Sequence, residues 1–150
     1  MAFLQEQDLE HIKKMFESLE ENVNLLFFGQ EIECQYCHET EQILQEVSAI
    51  SLKIELKVFD LSKDKELAQK YNIDKAPAIV VESKQDYGIR FYGIPSGYEF
   101  SSLLEDIIDV SKGSSGLTPD SIALLKEVNK PLHLQVFVTP TCPHCPKAVR

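Results

Sequence analysis

Basic residues are in the minority here: 15 Lys and Arg stand against 24 Asp and Glu, a formal charge of -9. Binding to a phosphate backbone needs clustered Lys and Arg, so that balance excludes nucleic-acid binding as the main role. No apolar run approaches the ~20 residues that a membrane helix needs. The opening, Met1-Ala2-Phe3-Leu4-Gln5-Glu6-Gln7-Asp8, has neither the basic start nor the apolar middle of a secretory signal. The cytosol is therefore the expected location, and structural disulfides are uncommon there. Cysteine is scarce too. There are four, and all four fall in two C-x-x-C pairs, Cys34-Gln35-Tyr36-Cys37 and Cys142-Pro143-His144-Cys145. Such pairs suit catalysis or metal binding better than a disulfide framework.

What remains is enough for one sizeable core, since 43% of the 150 residues are apolar. Leu4 to Glu20 reads as an amphipathic helix through Leu9, Ile12, Phe16 and Leu19. Val23 to Phe28 is a continuous apolar run, expected as a strand buried on both faces. After Cys37 a second helical pattern carries Ile43, Leu44, Val47 and Ile50. Lys53 to Val58 alternates, predicting a strand with one wet face. Ser62 is the expected cap of a short helix with Leu67, Ala68 and Tyr71. Ala78 to Val81 and Ile89 to Tyr92 predict a hairpin across a polar connection ending at Gly88. Ser96 and Glu99 form a capping-box pattern ahead of a helix that buries Phe100, Leu103, Leu104, Ile107 and Ile108. Strands alternating with helices, then a closing hairpin, define an α/β fold with a mixed sheet and helices on both faces.

Ser111 to Gly116 is small and polar, which places a boundary there. Residues 1–112 form the first domain, 113–117 a linker, and 118–150 the remainder. Thr118-Pro119-Asp120 starts a new helix, with Ile122, Leu125 and Val128 expected to face a core. Leu132 to Val138 then reads as a strand leading into the second C-x-x-C. The closing segment thus repeats the opening plan.

Two cysteines three apart at a helix start lie on one side of it, with Cβ atoms ~5–6 Å apart. A disulfide needs roughly 3.5–4.5 Å, which a slightly tightened turn supplies. The helix N-terminus favours thiolate over thiol. Cys34, at the tip, is the expected nucleophile, and Cys37, one turn in, the sheltered resolving thiol. Glu31 and Glu33 oppose the thiolate if close. The imidazole of His144 would favour the Cys142 thiolate, making Cys142–Cys145 the more oxidising couple. Pro77, directly before a β-run, calls for a cis Ala76–Pro77 bond, which would leave the Ala76 backbone free to pair with a bound peptide.

Phe27-Phe28, Cys34-x-x-Cys37, Tyr71-Asn72-Ile73, Ala76-Pro77-Ala78-Ile79-Val80 and the strand pair ending at Gly93 together resemble the thioredoxin superfamily. The chain is similar to the glutaredoxin-like protein disulfide oxidoreductases of thermophilic prokaryotes, which carry two thioredoxin folds in one chain. Phe91-Tyr92-Gly93-Ile94-Pro95 and Val138-Thr139-Pro140-Thr141-Cys142-Pro143-His144-Cys145-Pro146 match that pattern. The resemblance implies a three-layer thioredoxin-like fold followed by the first elements of a second unit. It implies Cys34 as attacking thiol, Cys37 as resolving thiol, Ala76 and Pro77 as the substrate-binding edge, and Cys142 with Cys145 as a second centre. Protein disulfides are the implied substrates and a thioredoxin-reductase-like flavoprotein the implied electron donor, with no metal or organic cofactor. Two features depart from the family: Val23 to Phe28 lacks a buried acid for proton transfer, and the second unit lacks its remaining elements. The expectation is a fragment of a longer chain; the alternative is a tail docked on the first domain or on a neighbouring molecule.

Two other readings stand beside this one. Four thiolates could hold zinc, although zinc-ribbon pairs usually lie ~15–20 residues apart, and these pairs are far more widely separated. His38 and His144 are more simply polar residues at helix starts. A non-catalytic binding domain using the proline-side groove is the other. The sequence leaves oligomeric state open.

Overall fold

The computed structural model describes residues 3–150. Its centre is β1 (Val23–Gly29), in which every residue but Asn24 is buried. β2 (Ile54–Asp60) runs parallel to it on one side and β3 (Ala78–Glu82) antiparallel on the other. β4 (Asp86–Tyr92) pairs with β3, giving the order β2-β1-β3-β4. Because successive side chains of a strand point to opposite faces, β1 feeds two cores. Val23, Leu25 and Phe27 meet α1 (Glu6–Phe16), α2 (Cys37–Ala49) and α4 (Tyr98–Lys112). Leu26 and Phe28 meet Ala68 of α3 (Lys65–Lys70), with Tyr71 and Ile73 just after it. The result is a mixed α/β sheet with helices on both faces.

Several local expectations give way to tertiary context. α1 is shorter than its pattern, yet Leu19, beyond its end, is buried. β2 has no single wet face: Val58 is 49% exposed at this sheet edge, while Phe59, on the other side, packs against Phe28. Ser62 does not cap α3, which begins after Asp64. Its hydroxyl and amide are instead taken by the Asp60 carboxylate, which also accepts from the Lys63 amide at 3.1 Å. The hairpin turns earlier than expected, and Gly88 lies inside β4 with φ +85°. The capping box does not form. Gly97, at φ +60°, starts α4 one residue later than the pattern requires, and the Glu99 amide donates to the Ser96 carbonyl (3.3 Å). Phe100 and Ile108 are only half-buried, whereas Ser102 and Val110 are buried.

Ser111 is not part of a flexible connection. It is 1% exposed, and its hydroxyl accepts from the amides of Glu20 (2.8 Å) and Glu21 (3.0 Å) and donates to the Glu21 carbonyl. α4 therefore runs on through Lys112 and closes on Gly113 in the left-handed conformation.

α5 (Pro119–Lys126) starts as expected, with the Thr118 hydroxyl accepting from the Ser121 amide at 3.2 Å. Its apolar residues do not face a core: Leu125 is 58% exposed, and Ile122 and Val128 are exposed too. Leu132 to Val138 forms no strand, because no neighbouring strand pairs with it among the described residues; Phe137 is 90% exposed. The closing helix α6 (Cys145–Val149) packs on α4.

Arg150 ion-pairs with Glu105, Asp106 and Asp109 on α4. Burial, helped by the neighbouring Asp109, pushes the Asp106 carboxyl up to about 6. A carboxyl raised in the folded state favours its protonated form, so ionised Asp106 weakens the fold as pH climbs from about 4 to about 6. Arg150 offsets part of this, and residual solvent screens it. Asp106→Asn leaves Arg150 two carboxylates. It should stabilise the protein by about 1 kcal/mol at pH 7.5 and by nothing at pH 4, as read by urea unfolding at both pH values.

Candidate active site

The sheet delivers its chemistry at the end where β1 finishes. Gly29 closes β1 opposite Asp60 of β2, and its carbonyl accepts from the Leu61 amide (2.8 Å). The chain then leaves the sheet, turns through Glu33 at φ +61°, and reaches Cys34. A non-glycine residue in that left-handed region costs about 1 kcal/mol. Here it turns the backbone immediately before the disulfide.

Cys34 and Cys37 are joined in a disulfide with Cα atoms 5.5 Å apart, within the ordinary range for such bonds. Cys37 is the first residue of α2 rather than one turn in, and Tyr36 is the cap residue. Thr40 donates to the Tyr36 carbonyl through both its amide (3.0 Å) and its hydroxyl (2.6 Å), which fixes that first turn. The order of shelter is the expected one: Cys37 is buried and Cys34 half-buried. Ile32 (73%) and Tyr36 (44%) are exposed beside them.

Two supports of Cys37 lie outside the motif and escape a reading of the sequence. The Gln30 amide donates to its Sγ at 3.3 Å. Gly29 leaves it room: a Cβ there would lie 3.7 Å from Cys37 Sγ and 2.9 Å from Phe27 Cε1. A glycine closing a buried strand ahead of a C-x-x-C is the signal that could have marked it. Phe27 is buried and cannot swing aside, so Gly29→Ala should destabilise the oxidised protein by about 1–3 kcal/mol in urea unfolding.

The Ala76–Pro77 bond is cis. β3 begins at Ala78, paired with Phe28, so Pro77 lies at the same end of the sheet as Gly29 and the disulfide. The Pro77 carbonyl accepts from the Gly93 amide at 2.9 Å. Ala76 is half-buried and packs on the same core cluster as Cys34. Among the described residues, no hydrogen bond involves its amide or carbonyl.

Cys142 and Cys145 are free thiols, each partly exposed, and Cys145 opens α6. The Cys142 thiol is lowered, mainly because the Cys145 thiol donates to it, with the His144 and Cys145 amides adding to the effect. Cys145 is correspondingly raised. The cause is thus the partner thiol and backbone amides, not the exposed His144 ring. Among the described residues no three His, Cys, Asp or Glu side chains gather as a metal site, and no helix is long and apolar enough to cross a membrane.

No protein-family model matches the chain. It is 27% identical over 143 residues to the alkyl hydroperoxide reductase protein AhpF of Staphylococcus aureus strain Mu50, a match covering 94% of this chain and 25% of that protein. It is 28% identical over 114 residues to the corresponding protein of Staphylococcus epidermidis, covering 75% of this chain and 20% of that one. The chain spans about a quarter or less of the curated relatives it matches. Among solved structures, a protein disulfide oxidoreductase from Aeropyrum pernix superposes over 99% of this chain and 66% of its own, with TM-score 0.85 and 24% identity. The NTD_N/C domain of AhpF from Enterococcus faecalis does so over 98% and 71%, with TM-score 0.80 and 27% identity.

A four-stranded mixed sheet, a C-x-x-C disulfide where its central strand ends, and a cis-proline at that same end make a thioredoxin-like fold carrying a dithiol–disulfide pair of the kind thiol–disulfide exchange uses. More particularly, the chain is similar in fold to the protein disulfide oxidoreductase of Aeropyrum pernix, and in sequence and fold to the N-terminal part of the alkyl hydroperoxide reductase protein AhpF.

Proposed function

We propose that the chain exchanges its Cys34–Cys37 dithiol with disulfides of other proteins. The Cys34 thiolate attacks one sulfur of the substrate disulfide, forming a mixed disulfide and releasing the other sulfur as a thiolate that takes a proton from water. Cys37, deprotonated in turn, attacks Cys34 and releases the second substrate thiol. The protein ends oxidised and the substrate reduced by the same two electrons. The observation that supports this most is the graded shelter of the pair, with Cys34 reachable and Cys37 buried beneath an amide donor. Ala76 and Pro77 are the proposed substrate-binding edge, since the Ala76 peptide groups stand at the disulfide end of the sheet with no hydrogen bond among the described residues. Cys142 and Cys145 are proposed as a second, auxiliary dithiol belonging to the segment after the 113–117 linker.

A thioredoxin-reductase-like flavoprotein is the proposed electron donor and the cytoplasm the proposed location, with cell redox homeostasis as the role. The staphylococcal relatives favour a more specific version, in which the electrons go on to the reduction of alkyl hydroperoxides. The test is insulin reduction with dithiothreitol by the wild-type chain, Cys34→Ser and Cys142→Ser. Activity that survives in Cys34→Ser overturns the assignment.

A further inference from the structure

The disulfide sits in acidic surroundings. Glu31 and Glu33 precede it and Glu39 lies in the first turn of α2, with only His38 between Cys37 and Glu39. Glu33 adjoins Cys34 in the chain and Glu31 lies three residues before it, and negative charge held that near by chain connectivity disfavours the Cys34 thiolate and so the reduced form. Across the site, Lys75 is engaged by Asp74 (3.8 Å) and by the Tyr92 ring (4.9 Å).

Lys63 is placed differently. It comes from the turn after β2, a stretch with no sequence motif of its own, and its ammonium reaches Glu31 at 2.7 Å, bridging 32 positions of chain. That turn is a fixed platform. The Asp60 carboxylate accepts from the Ser62 and Lys63 amides, the Asp60 amide donates to Asp64 (2.8 Å), and Lys63 Nζ lies 3.7 Å from Asp60. The platform is tied to the Gly29 carbonyl through the Leu61 amide, and Gly29 leaves open the space beside Cys37 Sγ that a Cβ would enter. Glu31 in turn holds the Lys63 ammonium above its ordinary pKa.

We propose that Lys63 is a positioning residue of the redox centre: it holds Glu31 and cancels its charge, which keeps the Cys34–Cys37 couple more oxidising than its acidic neighbours would leave it. This rests on the dithiol–disulfide reading above. The pair is solvent-exposed, so its effect is modest and salt-dependent.

The experiment compares wild type with Lys63→Met, Lys63→Arg, Glu31→Gln and the Lys63→Met/Glu31→Gln double variant. Each is equilibrated with reduced and oxidised glutathione, and the Cys34–Cys37 dithiol is trapped by alkylation; the pH midpoint of Cys34 alkylation is measured separately. Lys63→Met should shift the equilibrium about threefold toward the disulfide, which is about 14 mV at 29.6 mV per tenfold. Its midpoint should rise by about half a pH unit. Glu31→Gln should move both quantities the other way, the double variant should lie close to wild type, Lys63→Arg should retain the wild-type values, and 0.5 M salt should shrink every difference. Unchanged values in Lys63→Met, or a double variant displaced as far as Lys63→Met, overturn the inference. Neither readout needs turnover. Loss of the broader function would show instead as Cys34-independent insulin reduction.

Discussion

Replacing Cys34 by serine is expected to lower insulin reduction by at least about 100-fold, whereas Cys142→Ser keeps most of the activity. A hydroxyl is a far weaker nucleophile than a thiolate near neutral pH, and no second sulfur stands in its place: Cys37 is buried, with its sulfur directed at the Gln30 amide. Cys37→Ser should behave differently. It retains the attacking thiol and loses the resolving one, so it should accumulate a mixed disulfide with substrate, visible as an added mass that dithiothreitol removes. The second pair is partly exposed, on a segment whose apolar residues stay in contact with solvent. Unlike Cys34, it has no strand leading into it among the described residues. Activity lost in Cys142→Ser and kept in Cys34→Ser would move the chemistry to the second pair.

Phe28→Ala is expected to cost about 3–5 kcal/mol of stability in urea unfolding. Phe28 is fully buried on the central strand, with its ring 5.3 Å from Phe59 and 6.2 Å from Tyr71, centroid to centroid. These rings join β2, β1 and the end of α3, and removing the middle one leaves a cavity that a paired strand cannot collapse into. Phe28 also pairs with Ala78 and is followed by Gly29, so the same residue sets the spacing between the cis-proline edge and the disulfide loop. Disulfide exchange should fall together with stability, and both should recover in part in Phe28→Leu, which refills most of the volume.

The largest elements could be read directly because their cause is local. Val23 to Phe28 is too continuously apolar to lie anywhere but inside, and Cys34 and Cys37 are spaced for a disulfide wherever a helix begins. The alternation of strands and helices implies a mixed sheet, and a proline directly before a buried run implied the cis bond seen at Ala76–Pro77. The failures share a physical reason. Ser62 and Ser96 looked like caps, but Asp60 takes the first and Gly97 displaces the second, and a cap is a competition that sequence spacing does not decide. Leu132 to Val138 has strand composition and forms none, since a strand exists only where another pairs with it. Ser111 looked like linker and is buried because the Glu20 and Glu21 amides meet it.

By itself, then, the sequence determined the α/β fold with its mixed sheet, the cysteine pair spaced for a disulfide and the cis-proline, all of which depend on residue type and short spacing. Only the tertiary structure decided what surrounds that pair. The Gln30 amide on Cys37, the space left by Gly29 and the reach of Lys63 to Glu31 bring together residues from separate turns and strand ends, and short spacing contains no information about such meetings.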